Sequence, residues 1–258
     1  MNLTAEQIQN NWNVFLGIIE EHISSPRKEK LLEFYNQYAE RVMLMPAAHK
    51  KEYHNAFPGG YVEHIIRVVR CALKQHQLWV NEGADISTYT IEELVFAALN
   101  HDLGKMGDEE HESYIPQTDQ WRRDKLGEDY MFNTKLPFAS VPDRGLFMLQ
   151  SHGIQYTFNE MLAIQTHDGL YDEANKKYLM TYLPEQKPRT CLPFVLHFAD
   201  IMAARIEFER EWLPKLNGNT PAKTTFKMEI KKPTPAAAKQ KALSSVRSEG
   251  LKNLLDNL

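Results

Sequence analysis

Apolar residues recur at helical spacing along most of the chain. "TAEQIQNNWNVFLGIIEEHI" puts Ile8, Trp12, Phe15, Ile18 and Ile19 on one face, with Thr4 and Gln7 at capping-box spacing. "SPRKEKLLEFYNQYAERVML" reads as one helix with Ser25 as its cap and Pro26 in its first turn. "YVEHIIRVVRCALKQHQLWV" follows the turn "FPGG", and "TIEELVFAALNHDLG" takes Thr90 as its cap. "DRGLFMLQSHG", "TFNEMLAIQTHDG" and "LPFVLHFADIMAARIEFEREW" complete the series. No alternating run is long enough to predict a strand. The expected fold is all-α, a helical bundle over residues 1–214.

Two segments break this rhythm. Residues 106–142 mix charges, aromatics and prolines without a period, and the aromatics Tyr114, Trp121, Tyr130 and Phe132 argue for order. The expectation is an ordered lid or substrate-facing insertion. From residue 215 the chain is a basic linker rich in Pro, Thr, Ala and Lys, read as a flexible tail. Leu243, Val246, Leu251, Leu254 and Leu255 would share one side of a short terminal helix, with a solvated tail as the other reading.

Charge sharpens this division. Residues 215–258 hold nine Lys/Arg against three Asp/Glu, a net +6, so the first 214 residues carry −10 of the overall −4. An acidic body disfavours non-specific binding along a nucleic-acid backbone. With 43% hydrophobic and 25% charged residues in 258, the composition is that of an ordinary soluble domain. No apolar run approaches the ~18 residues that span a bilayer, and no membrane partner is expected. The first residues lack a basic-then-apolar leader, and Cys71 and Cys191 lie in apolar segments as reduced core residues. The expected location is cytoplasmic.

Polar residues interrupt the apolar helices at particular places. His64 lies in "GGYVEHIIRVV", His101 and Asp102 in "ALNHDLGK", His152 in "LFMLQSHGI", His167 in "LAIQTHDG" and Asp200 in "LHFADIMAA". Burying such groups unpaired costs several kcal/mol each, so they need partners. A single one reads as a hydrogen-bonded core residue; six together point to a metal centre assembled from facing helices. Imidazoles with carboxylates suit Mn, Fe, Co, Ni or Zn, and neither cysteine has a neighbouring ligand at metal-binding spacing. Asp102, with two oxygens, has the means to bridge two ions.

These stretches resemble the metal-dependent HD-domain superfamily, named for its adjacent His-Asp pair, over residues 54–210. "YHNAFPGGYVEH" and "HFAD" are most similar to the subgroup containing 3′→5′ exoribonucleases and HD domains of conjugative relaxases. The whole chain also resembles HD proteins of large tailed phages, which would place it in a host cytoplasm. The resemblance implies that His64, His101, Asp102 and Asp200 hold a first ion. It implies His152 and His167 for a second, with Asp102 bridging. Lys105 matches the family lysine that reaches a substrate phosphate. The spacing from Asp102 to His152 is longer than the family's, because of the insertion, and that from His152 to His167 is shorter.

Other residues have two readings each. His54, before "FPGG", binds phosphate, orients a ligand, or is an exposed loop histidine. His197, one turn before Asp200, stands behind the ligands or simply packs in the core. His111 lies in a loop expected to overhang the metals. Arg122, Arg123 and Lys125 follow Trp121 and either contact phosphate or form a solvated cluster. Asp168 and Asp172 are candidates to contact substrate or to support the metal ligands from behind, Glu63 is assigned no metal, and His22, His49 and His76 are placed on the surface.

The expected function is phosphoester hydrolysis by metal-activated water on a nucleotide or related small phosphate compound. Asp102 and Lys105 would carry the chemistry, with Lys105, His54, His111, Arg122 and Arg123 toward substrate. The cofactor is one or two divalent ions among Mn, Fe, Co, Ni, Zn and Mg. The alternatives are a 3′→5′ exonuclease on short single-stranded nucleic acid and a di-iron oxygenase on the same scaffold.

Overall fold

Three helices start on side chains that satisfy their own first-turn amides. Thr4 with Gln7, Thr90 with Glu93 and Thr157 with Glu160 each form a complete capping box, opening α1 (Ala5–His22), α5 (Ile91–Asn100) and α7 (Phe158–Thr166). Such caps stabilise a helix by about 1 kcal/mol each. Ser140 caps α6 (Val141–Ser151), which has Pro142 in its first turn. The computed structural model describes residues 3–50 and 53–216. Of the basic linker expected from residue 215, residues 217–258 lie outside the described residues, as does the helix expected near its end.

The remaining helices are α2 (Arg27–Gln37), α3 (Ala39–Leu44), α4 (Gly60–Asn81), the short α8 (Lys176–Leu179), α9 (Leu192–Glu211) and α10 (Leu213–Leu216). The fold is all-α apart from one small two-stranded sheet. The most extensive packing joins α4 to α9, with α5 and α7 closing on them and α1 against α4. Phe15, Tyr35, Tyr61, Ile65, Phe96, Leu99 and Leu103 are fully buried where these elements meet. Arg27 lies over the Phe96 ring and pairs with Glu92 at 2.6 Å and Glu160 at 2.8 Å, fastening α2 to α5 and α7. Both cysteines are free thiols. Among the described residues, no helix is long and apolar enough to cross a membrane.

The segment read as one helix from Ser25 is two, broken at Tyr38, whose φ −106° and ψ 18° leave helical geometry. Ser25 does not cap it; its hydroxyl donates to Glu29 at 2.6 Å. The insertion is ordered. Tyr114–Pro116 (β1) pairs antiparallel with Tyr130–Phe132 (β2), strands too short for alternation to be legible. Ser113 donates to the Gly104 carbonyl at 3.2 Å, tying the hairpin to the turn that follows α5. His49 and His76 are not free surface histidines. The His49 ring sits 4.5 Å from Phe132 and 5.9 Å from Tyr114, seating the hairpin, and His76 bonds the Tyr89 hydroxyl at 2.8 Å.

Candidate metal centre

Two helices end in the same way. α5 stops at Asn100 and α7 at Thr166, and each is followed by a His-Asp pair and a tight turn. His101 Nδ1 donates to the Ala98 carbonyl at 2.9 Å, and His167 Nδ1 to the Ile164 carbonyl at 2.8 Å. A carbonyl only accepts, so these bonds place the proton on Nδ1 and leave the Nε2 lone pair free in the neutral ring. His64, on α4, follows the same rule with a carboxylate: its Nδ1 lies 3.0 Å from Glu207 Oε2. Three imidazoles thus present Nε2 to one region, into which α9 brings Asp200.

Asp102 stands at the centre. Its Oδ2 is 3.6 Å from His101 Nε2 and 3.7 Å from His64 Nε2, and its Oδ1 is 3.6 Å from His167 Nε2. Asp200 Oδ1 lies 3.1 Å from His64 Nε2 and 3.7 Å from His101 Nε2. Neither His64 Nε2 nor His101 Nε2 makes a hydrogen bond, although both are buried. Orphaned nitrogens facing two carboxylates are the pattern a cation resolves, and the donor set suits a borderline divalent ion. The cluster can hold a metal ion, with His64–His101–Asp200 and His101–Asp102–His167 each at ligand spacing.

Burial alone would raise Asp102 and Asp200. For Asp102, Lys105, His101 and His167 outweigh it; for Asp200, His101 and His64 do, and both carboxyls are held well below the usual range. Burial lowers the imidazoles, but Glu207 and Asp200 push His64 up to about 10, and Asp102 and Asp168 push His167 up to about 9. Lys105 donates to Asp102 Oδ2 at 2.5 Å; its burial is outweighed by Asp102, Tyr114 and Asp200, which keep it charged. The field at this centre demands positive charge.

Behind His64 runs a chain of charged groups that the helical pattern alone does not single out. Glu207 is 1% exposed and accepts from Arg67 Nε at 2.9 Å, while Arg67 also reaches Glu63 at 3.0 Å. Glu207 is two turns beyond Asp200, and Arg67 is three residues beyond His64. Both therefore share helix faces with His64 and Asp200, and that spacing is the signal by which they are found.

His197 stands behind His167. Its Nδ1 donates to the His167 carbonyl at 2.6 Å. Gly169 makes room for it: a Cβ there would sit 1.9 Å from His197 Cε1, on a backbone at φ +58°. Gly169→Ala should push His197 from the carbonyl and weaken metal binding by about tenfold, the lower end for losing a supporting hydrogen bond. His197→Ala should reproduce the loss without the backbone strain. Metal titration of both variants checks this, and unchanged affinity in His197→Ala would remove its positioning role.

The other expected residues separate. His152 does not join the cluster: its Nδ1 donates to the Met148 carbonyl at 2.9 Å and its Nε2 faces the Tyr38 hydroxyl at 3.3 Å. Its ring packs on Phe34 at 4.8 Å, so α6 delivers it to α2 and not to the carboxylates. His111 is partly exposed and pairs with Asp108 at 3.5 Å. Arg122 binds Glu128 at 2.9 Å and Arg123 the Gln117 carbonyl at 2.6 Å, so both brace the insertion's own turn. Lys125 and Trp121 are exposed, and Asp172 accepts from the Ala174 amide. Asp168 is half-exposed, 3.6 Å from His167 Nε2. His54 is in the cluster, its ring 4.6 Å from that of His64. Against known proteins, the chain matches no family model, no curated protein and no solved structure.

Proposed function

We propose that this chain is a metal-dependent phosphohydrolase of the HD-domain kind, acting on a nucleotide or related small phosphoester. The observation that carries the reading is the convergence of three Nδ1-anchored imidazoles on Asp102 and Asp200, with the Lys105 ammonium on the same carboxylate. His64, His101, Asp102 and Asp200 would hold the principal ion, with His167 on the other oxygen of Asp102. A divalent cation held there supplies charge for a phosphoryl oxygen and acidifies water at neutral pH. Lys105 keeps its proton and offers an N–H donor to a second phosphoryl oxygen. Asp102 and Asp200, held ionised, would accept hydrogen bonds from water oriented in the site.

Two features favour a small nucleotide. A cleft of about 470 Å³ opens between α2–α3 and the hairpin, with Tyr38, Tyr114 and Tyr130 among its walls, surfaces on which a base can stack. Tyr114 also senses the charges of Lys105 and Asp102. The net −10 on the first 214 residues counts against a long polyanion. The separation of His152 from the cluster weighs against a di-iron oxygenase, which would need that ligand.

The test is a hydrolysis screen over nucleotides, cyclic nucleotides and short oligonucleotides with Mn. Turnover of small nucleotides should persist without oxygen and after deletion of residues 217–258. An absolute requirement for oxygen would replace this reading with the oxygenase. Trimming of single strands alone, dependent on the tail, would replace it with the exonuclease.

A further inference from the structure

A half-buried imidazole beside the cluster has one nitrogen without a hydrogen-bond partner. His54 Nε2 is shut off from solvent and makes no hydrogen bond. A ring nitrogen of His54, one donor of His64 and one oxygen of Asp102 all lie within 4.8 Å of one another. Two donors on opposite sides of an ion, at bonds of about 2.0–2.2 Å, stand roughly 4.2 Å apart, so small adjustments complete this triad.

The loop that carries His54 is built to hold it there. Asn55 is buried at φ +45°, a conformation that favours asparagine among residues with a Cβ. Its carbonyl accepts from the amides of Ala47 at 3.1 Å and Phe57 at 2.9 Å, and its side-chain amide donates to the Gly60 carbonyl at 3.3 Å. Gly60 is required for this fit, since a Cβ there would lie 2.0 Å from the Asn55 oxygen. The loop is pinned against the first turn of α4, one turn before His64.

We infer that His54 is a further nitrogen ligand of the ion held by His64 and Asp102, giving the centre three histidines on the α4 and α5 side: His54, His64 and His101. This rests on the proposed metal centre and adds a residue to it.

The experiment titrates the full-length protein with Co(II), following the visible absorption band, in wild type, His54→Gln and His54→Asp. Thermal melts of the metal-free proteins accompany it. His54→Gln should bind Co(II) at least about tenfold more weakly and alter the band, as a changed donor set does, with an unchanged metal-free melting temperature. His54→Asp, which returns an oxygen donor, should recover part of the affinity with a third spectrum. Wild-type affinity and spectrum in His54→Gln, with inorganic phosphate bound more weakly, would make His54 a substrate contact and overturn this inference while leaving the metal centre standing. A wild-type protein that binds no Co(II) would overturn the centre itself and this ligand with it.

Discussion

Asp102→Asn should abolish stoichiometric metal binding and hydrolysis together. Among the described residues, Asp102 alone turns one oxygen toward both His64 and His101 and the other toward His167. The side chain keeps its shape and loses its charge. Metal affinity should fall by more than about 100-fold, beyond the 10–100-fold that loss of an outer hydrogen bond causes. Metal content of the purified variant and its turnover on the wild-type substrate check this, and retention of both would remove Asp102 from the centre. The same carboxylates dictate the pH dependence. Against burial, Glu207 and Asp200 raise His64 to about 10 and Asp102 and Asp168 raise His167 to about 9, so in the metal-free protein both rings hold protons at neutral pH. An ion must displace those protons, and its affinity should strengthen as pH rises toward that range, with proton release on binding. Isothermal titration in buffers of different ionisation enthalpy measures the count.

Glu207→Ala should be the most destabilising substitution outside the ligand set. Glu207 is buried between His64 Nδ1 and Arg67 Nε. Truncation takes one carboxylate from a guanidinium that is 8% exposed and removes the Nδ1 partner of the His64 ring. Breaking a buried pair by removing one partner costs about 3–5 kcal/mol. The metal-free variant should unfold at a visibly lower denaturant midpoint, and the folded fraction should bind metal about 10–100-fold more weakly. Glu207→Gln, which still accepts from one partner, should lose less stability and a similar share of affinity. A Glu207→Ala variant as stable as wild type would show that Arg67 and His64 find other partners.

Some of this centre is legible in the amino-acid sequence. His64, His101, Asp102, His167 and Asp200 each break an apolar helical pattern, and a polar group on a buried face must be paired. The capping box at Thr4 and the cap at Thr90 are equally plain, because a cap needs only local spacing. His152 carries the same signature as the ligands, yet it sits against Phe34, Tyr38 and the Met148 carbonyl. Periodicity states that a side chain faces inward; it does not state which neighbour it meets. Arg122 and Arg123 resemble substrate contacts in their company with Trp121, but the path of the insertion turns them onto Glu128 and Gln117. Glu207 and Arg67 are marked in the sequence only by their spacing from Asp200 and His64, since charged residues in "IEFERE" and "HIIRVVR" otherwise read as a solvated face until α9 lies along α4. His54 becomes a member of the cluster only through the Asn55–Gly60 contact. Local free energies of capping and amphipathic burial are written along the chain and determine the helices and their inward faces. Which inward residues share a centre depends on how helices cross and how loops close, and only the tertiary packing decides that.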